Sequence, residues 1–241
     1  MNIALHLRPR LPLLVAVLCV AVSPLHARTK PPTVRWTAGS PACEFQRTDD
    51  GRYHWRMAGD DVDITLIMDS QELSKSHHRL YHVVAAYLSF TYTGSAKLDF
   101  LADTRLEFVL HQHVIQPSLD PDEFASKMQN DVDTLVFDTE RQIKKDSAKT
   151  EEKTGRAREY EKEVSEFQEF LSTQTLRPAT LTPGNPEVHG WALFSTKNKW
   201  IGPWKSREEF VLRIWQKDRI YEFPFSLPPA EGDLILRKRD E

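Results

Sequence analysis

The sequence predicts a mainly β protein with an α insertion: an antiparallel, immunoglobulin-like β-sandwich carrying a long helical hairpin between two strands. Three observations predict it. About eight short segments alternate apolar and polar residues, the period of a half-buried strand. No helix-period segment separates successive strands outside residues 119–174, which argues against a parallel sheet built from βαβ units. Inside 119–174 the period changes, twice, to that of an amphipathic helix. No Cys–Trp–Cys spacing accompanies the strands, so the immunoglobulin-like label is one of architecture alone.

The chain of 241 residues opens with a segment that reads as a secretion signal, 1–27. Arg8 and Arg10 form a basic start, residues 11–22 are apolar, and Ser23-Pro24-Leu25-His26-Ala27 offers a cleavage point after Ala27. The apolar run is shorter than the roughly 20 residues a bilayer span needs. Leu18 before Cys19 is too bulky for a lipoprotein site. The expected location is periplasmic or extracellular, with no transmembrane segment once the signal is cleaved. Residues 28–42, with Pro31-Pro32, are expected to be a flexible leader.

Residues 43–118 and 175–241 are expected to form the sandwich. The runs 44–47 and 53–56 flank Asp49-Asp50-Gly51, a tight-turn signal, and read as a hairpin. Residues 62–68 and 80–93 alternate, the second with Leu80, Val84, Ala86, Leu88, Phe90 and Tyr92 in phase. Residues 98–101 form a short apolar piece, and 105–116 reads as one long strand with Arg105, Glu107, His111 and His113 on its polar face. After a Pro-rich return over 176–187 come strands at 188–195, 209–215 and 219–227. Pro224 has no N–H to give a neighbour, so the last is expected at a sheet edge.

Residues 119–174 are expected to form the helical hairpin. Asp120 is placed to cap a helix that Pro121 opens. Phe124, Met128, Val132, Leu135, Thr139 and Ile143 form one stripe, and Tyr160, Val164, Phe167 and Leu171 a second. Residues 145–158 between them hold no large apolar side chain, so the chain is expected to turn near Thr150–Gly155 and bring the stripes together in a short coiled-coil-like pair. The sandwich core is expected not to depend on this insertion. Residues 120–169 carry 15 acidic and 9 basic side chains, a net −6. That charge suits a solvated face, a docking arm or a self-association surface.

Composition narrows the function. With the signal removed, 30 basic residues face 35 acidic ones, a net −5 that argues against a nucleic-acid partner. Cys43 is the single cysteine outside the signal, so no intramolecular disulfide is expected. Lys199, Trp200 and Trp204 form a candidate ligand site, two indoles beside cations that could stack on a sugar, or else cap the sandwich by folding back. His111 and His113, with His77 and His82, form a candidate metal site, Glu107 being a further ligand, or else a set of surface imidazoles. Asp49, Asp50, Asp60, Asp61 and Asp63 could suggest calcium, but lack the spacing of a known loop and read as turn formers. The expectation is a secreted, non-enzymatic binding or structural module of the cell envelope, without a cofactor, whose partner is an envelope protein or glycan. A glycan-binding protein, or a metal-dependent hydrolase using the histidines, is the alternative.

Overall fold

The computed structural model describes residues 31–49, 52–69, 83–101, 104–110, 114–195, 208–217 and 219–227. The fold is mostly β, with two five-stranded, largely antiparallel sheets and two helices. In chain order the strands are β1 (Thr33–Arg35), β2 (Cys43–Arg47), β3 (Arg52–Ala58), β4 (Val62–Asp69), β5 (Val83–Tyr92), β6 (Leu98–Phe100), β7 (Thr104–Leu110) and β8 (Val114–Pro117). Helices α1 (Pro121–Lys145) and α2 (Thr150–Gln174) follow, then β9 (Ala179–Leu181), β10 (Glu187–Ser195), β11 (Glu208–Gln216) and β12 (Arg219–Leu227). One sheet has the order β1-β12-β11-β7-β8 and the other β10-β5-β4-β3-β2, while β6 and β9 form a separate pair.

Alternation decides which faces meet. Tyr53, Trp55, Met57, Ile64, Leu66, Leu88 and Phe90 from one sheet share a single buried cluster with Leu106, Leu212, Ile214, Tyr221, Phe223 and Phe225 from the other. The Trp55 and Phe225 rings lie 5.1 Å apart across it. Leu98, Phe100 and Leu181 of the β6–β9 pair close the same core. This sandwich-like arrangement is what alternating strands of both signs of phase can bury.

Three expectations need correction. The run 105–116 is not one strand: β7 and β8 pair antiparallel, with Leu110 opposite Val114. Leu106, Phe108, Leu110 and Val114 fall on one phase before and after the reversal, so the apolar positions carry no record of it. Residues 33–35, inside the expected flexible leader, form β1, parallel to β12, and Trp36 Nε1 donates to the carbonyls of Glu44 and Arg56. The last strand is therefore not the edge of its sheet. Pro224 is nonetheless accommodated, for a local reason. Ile220 N–H donates to Pro32 O and Glu222 O accepts from Trp36 N–H, so even-numbered residues of β12 face β1, and Pro224 lies beyond its end.

The helices form an antiparallel hairpin whose Gln168 Nε2 reaches Ala125 O at 3.1 Å and whose Phe124 and Phe167 rings meet edge to face. Asp120 Oδ1 accepts from Asp122 N–H and Glu123 N–H at 2.8 and 3.0 Å, the expected cap. The turn falls earlier than expected, over Asp146–Lys149. Asp146 Oδ1 accepts from Ala148 N–H and Thr150 Oγ1 donates to Ser147 O, so side-chain caps place the reversal, and Gly155 lies inside α2. The inward stripe also differs by one residue. Val136 joins the helix cluster and Leu135 is exposed.

The hairpin is not independent of the sheets. Phe124, Met128, Val132, Val164 and Leu171 pack with Val83 of β5 and Leu193 of β10, covering the outer side of those strands with a second, smaller core. Its two ends also bond to β10. Leu119 N–H donates to Leu193 O at 2.7 Å and Leu176 N–H to Trp191 O at 3.0 Å. Gly190 permits that second crossing. Its φ is +154°, and a Cβ there would stand 2.8 Å from Leu176 N.

Candidate functional site

A cavity opens where the chain leaves one sheet for the other. β8 ends at Pro117, opposite Glu107 of β7, and the chain then crosses through Ser118 and Leu119 to β10. The first residues of β7, Thr104 to Leu106, lie beyond the end of β8. The gap left beside them is a cavity of about 800 Å³, open to solvent. Leu106 and Ala192 face it from the two sheets, and Leu101, Leu119, Pro121 and Leu176 complete apolar walls. It adjoins a second hollow of about 500 Å³ that shares Leu101, Asp120, Pro121 and Leu176 and continues along the root of the hairpin.

Two indoles line the cavity, and neighbours hold both. Trp191 sits on the outward phase of β10, 5.4 Å edge-on to Tyr87 and 6.3 Å from Phe170 of α2. Trp215 sits on the outward phase of β11, donating from Nε1 to Glu107 Oε2 at 2.8 Å, with the Arg105 guanidinium 4.7 Å above its ring. Glu107 is buried. It also takes Arg105 on Oε1 at 2.9 Å and Arg213 on Oε2 at 3.4 Å. The row continues to Glu222, which binds Arg213 and Arg35, so three arginines share two carboxylates across β7, β11, β12 and β1.

Polar groups in the lining differ in how far they are committed. Asp120 is engaged as the cap of α1, and Asp122 binds Arg177, whose other nitrogen holds the Leu171 carbonyl in the last turn of α2. Asp99, in the adjoining hollow, binds Lys97 and Thr180, and the Lys97 bond first, then Thr180, holds its carboxyl below the usual range. Thr104 differs. It is 94 % buried (6 % exposed), and its hydroxyl has no hydrogen-bond partner. Lys217 is exposed, and its charge adds to the effects that hold the Asp99 carboxyl below the usual range. Its φ of 47° is what a two-residue turn between β11 and β12 demands. Leu101 has φ 71°, a conformation a bulky side chain rarely adopts.

The residues expected to bind a ligand, Lys199, Trp200 and Trp204, lie outside the described residues, as do His77, His82, His111 and His113. Glu107, named as a further metal ligand, is already committed to two arginines and an indole. Among the described carboxylates of the suggested calcium group, Asp63 is bound by Arg56 and Asp60 by Arg219. Among the described residues no three His, Cys, Asp or Glu side chains converge as a metal site would require. Cys43 is free and half-buried at the margin of the core.

No family model, no curated protein and no solved structure matches this chain.

Trp191, Trp215, Thr104 and Lys217 do not stand out in the sequence as a group. One signal was present. Trp191 and Trp215 fall on the outward phase of their strands, out of step with Ala192 and Phe194 and with Phe210, Leu212 and Ile214. A large apolar ring on an outward phase needs a second structure to cover it, or a ligand.

Proposed function

We propose that this chain is an exported, non-enzymatic binding module of the cell envelope, an immunoglobulin-like sandwich that takes its ligand in the corner cavity. One observation carries the reading: an open space of about 800 Å³ lined by two indoles already fixed in place. Protein interiors close-pack, and a volume this large with apolar walls and a few polar groups is how small-molecule sites are built. Export is supported by Arg8, Arg10, the apolar run 11–22 and the small residue Ala27. No helix among the described residues is long and apolar enough to cross a membrane.

Thermal melting tests the binding role. The purified protein is screened against fractionated envelope extract and a glycan panel, beside Ser118→Trp, which fills the cavity from a half-buried position. A ligand that raises the Tm of the native chain and not of the variant is the expected result, since binding to the folded state alone stabilises it. A screen in which nothing raises the native Tm, or in which both proteins respond alike, overturns the reading.

A second reading has its own observation. Leu135 and Phe137 are 38 % and 66 % exposed on α1, away from the root that packs on the sheet. They suit a hairpin that docks on an envelope protein or on a second copy. Concentration-dependent light scattering, native against Leu135→Gln/Phe137→Gln, measures the second possibility. A monomer at every concentration excludes self-association through this surface.

A further inference from the structure

We propose that the corner cavity and the hollow beside it hold one elongated apolar chain, of the alkyl or isoprenoid kind, and recognise that chain without reading the charge of its headgroup. This rests on the reading of the cavity as a ligand site and adds the chemical class of the ligand.

Shape favours a chain. The two spaces, about 800 and 500 Å³, share Leu101, Asp120, Pro121 and Leu176, so they run into one another along the root of the hairpin. An extended molecule can occupy both, whereas a compact ring fills only one. Leu106, Leu119 and Ala192 meet it in the first space, Phe100 and Pro178 in the second. Trp191 is braced by Tyr87 and Phe170, and Trp215 by Arg105 and Glu107, so little side-chain freedom is lost on binding.

Charge accounting supplies the class. The two linings together hold three cations, Arg105, Arg177 and Lys217, and three carboxylates, Asp99, Asp120 and Asp122. No net charge is left to select an acid or a base. Each group is also engaged within the protein. Arg105 binds Glu107 and lies over Trp215, Arg177 binds Asp122, and Asp120 takes two backbone N–H groups. Asp99 binds Lys97 and Thr180, and the Lys217 charge acts on it too. Backbone donors of the walls are likewise spent: Ser118 N–H on Leu106 O, Leu119 N–H on Leu193 O and Leu176 N–H on Trp191 O. A hydroxylated or charged body would exchange water for groups already satisfied, at a cost in free energy. An apolar chain gives up no hydrogen bond and gains by burial.

Calorimetry with straight-chain alcohols, and with decanoate and decyltrimethylammonium below their micelle concentrations, tests the class. One chain per protein is expected. From hexanol to dodecanol each two added carbons should tighten binding by about tenfold, the factor that burying two methylenes implies. Decanol, decanoate and decyltrimethylammonium should agree within about threefold, and Lys217→Met should leave all three unchanged, since exposed, balanced charges contribute little. Thr180→Trp, which narrows the second space, should weaken dodecanol by about tenfold and spare hexanol. If one charged decyl ligand binds tenfold more tightly than the other two, or a glycan displaces decanol, the class is wrong while the cavity remains a ligand site. If Thr180→Trp leaves dodecanol unaffected, the elongated seat is wrong. If no chain binds, or Ser118→Trp binds decanol as the native protein does, both the class and the site are overturned.

Discussion

Single residues carry much of what is specific about this fold, and Gly190 shows it most sharply. β10 must pass under the chain leaving α2, and the contact is made of backbone: Leu176 N and Thr175 C would lie 2.8 Å from an added Cβ. Neither can move as a flexible side chain could, and φ of +154° is strained for any other residue. Gly190→Ala is expected to lower stability by about 1–3 kcal/mol, read as a drop in the urea midpoint at unchanged m-value. Gly155 is the opposite case. It lies inside α2 with nothing within 4 Å of where an added methyl would stand, so neither turn nor packing needs it. Gly155→Ala should raise stability by about 0.5–1 kcal/mol, and a lower midpoint would show that the hairpin contacts something at that point. Composition alone cannot tell these glycines apart. One is fixed by a crossing between segments distant in sequence, the other by nothing.

At the scale of elements, the strands were legible wherever one face is buried, because phase records burial. The helix start was legible because Asp120-Pro121 is a local signal that the structure uses locally. The β7–β8 reversal was not, since Leu106, Phe108, Leu110 and Val114 hold one phase across it and no glycine, proline, asparagine or aspartate marks it. The hairpin shows a further limit. Its stripes were visible, but the sequence does not say that the first half of the stripe is shared with Val83 and Leu193. Two excisions separate the halves. Replacing 134–158 with a short Gly/Ser turn keeps Phe124, Met128, Val132, Val164 and Leu171 over the sheet. A cooperative melt within a few degrees of the native Tm is expected, with about half the helical circular dichroism signal gone, as 25-residue helices lose roughly half their length. Replacing 122–172 uncovers Val83 and Leu193, at about 1.5–3 kcal/mol each. It also frees the strand-like contacts at both ends of the insertion. The loss is a large part of the roughly 5–15 kcal/mol typical of a domain, so a broad, early melt is expected. A sharp melt near the native Tm in this second protein would show that the root contributes little.

For the whole molecule, neither sheet order nor the site could be read from sequence, because both depend on which strands end up beside each other. The cavity exists only because β8 stops short of the start of β7 and the chain crosses between sheets there. The shared core nevertheless has a consequence that can be measured on the intact protein. Tyr53 and Tyr221 are almost wholly buried, 0 % and 1 % exposed, and lie in the one cluster that joins the two sheets. Burial raises both phenols above their usual value, offset in part by Arg47 for Tyr53 and by the Arg219 hydrogen bond for Tyr221. A raised pKa means the folded state holds its proton more tightly than the unfolded chain. Below about pH 10 both states are protonated, and the contribution to stability is fully present. As pH rises from about 10 toward the folded values, the unfolded chain ionises first and stability falls. The urea midpoint should therefore be level from about pH 8 to 10 and decline above that. Lysines also titrate in this range, so Tyr53→Phe/Tyr221→Phe is the control. That variant gives up the bond to Arg219 and starts lower, but its midpoint should decline less steeply above about pH 10. An equal slope in the two proteins would place the alkaline loss elsewhere than in the shared core.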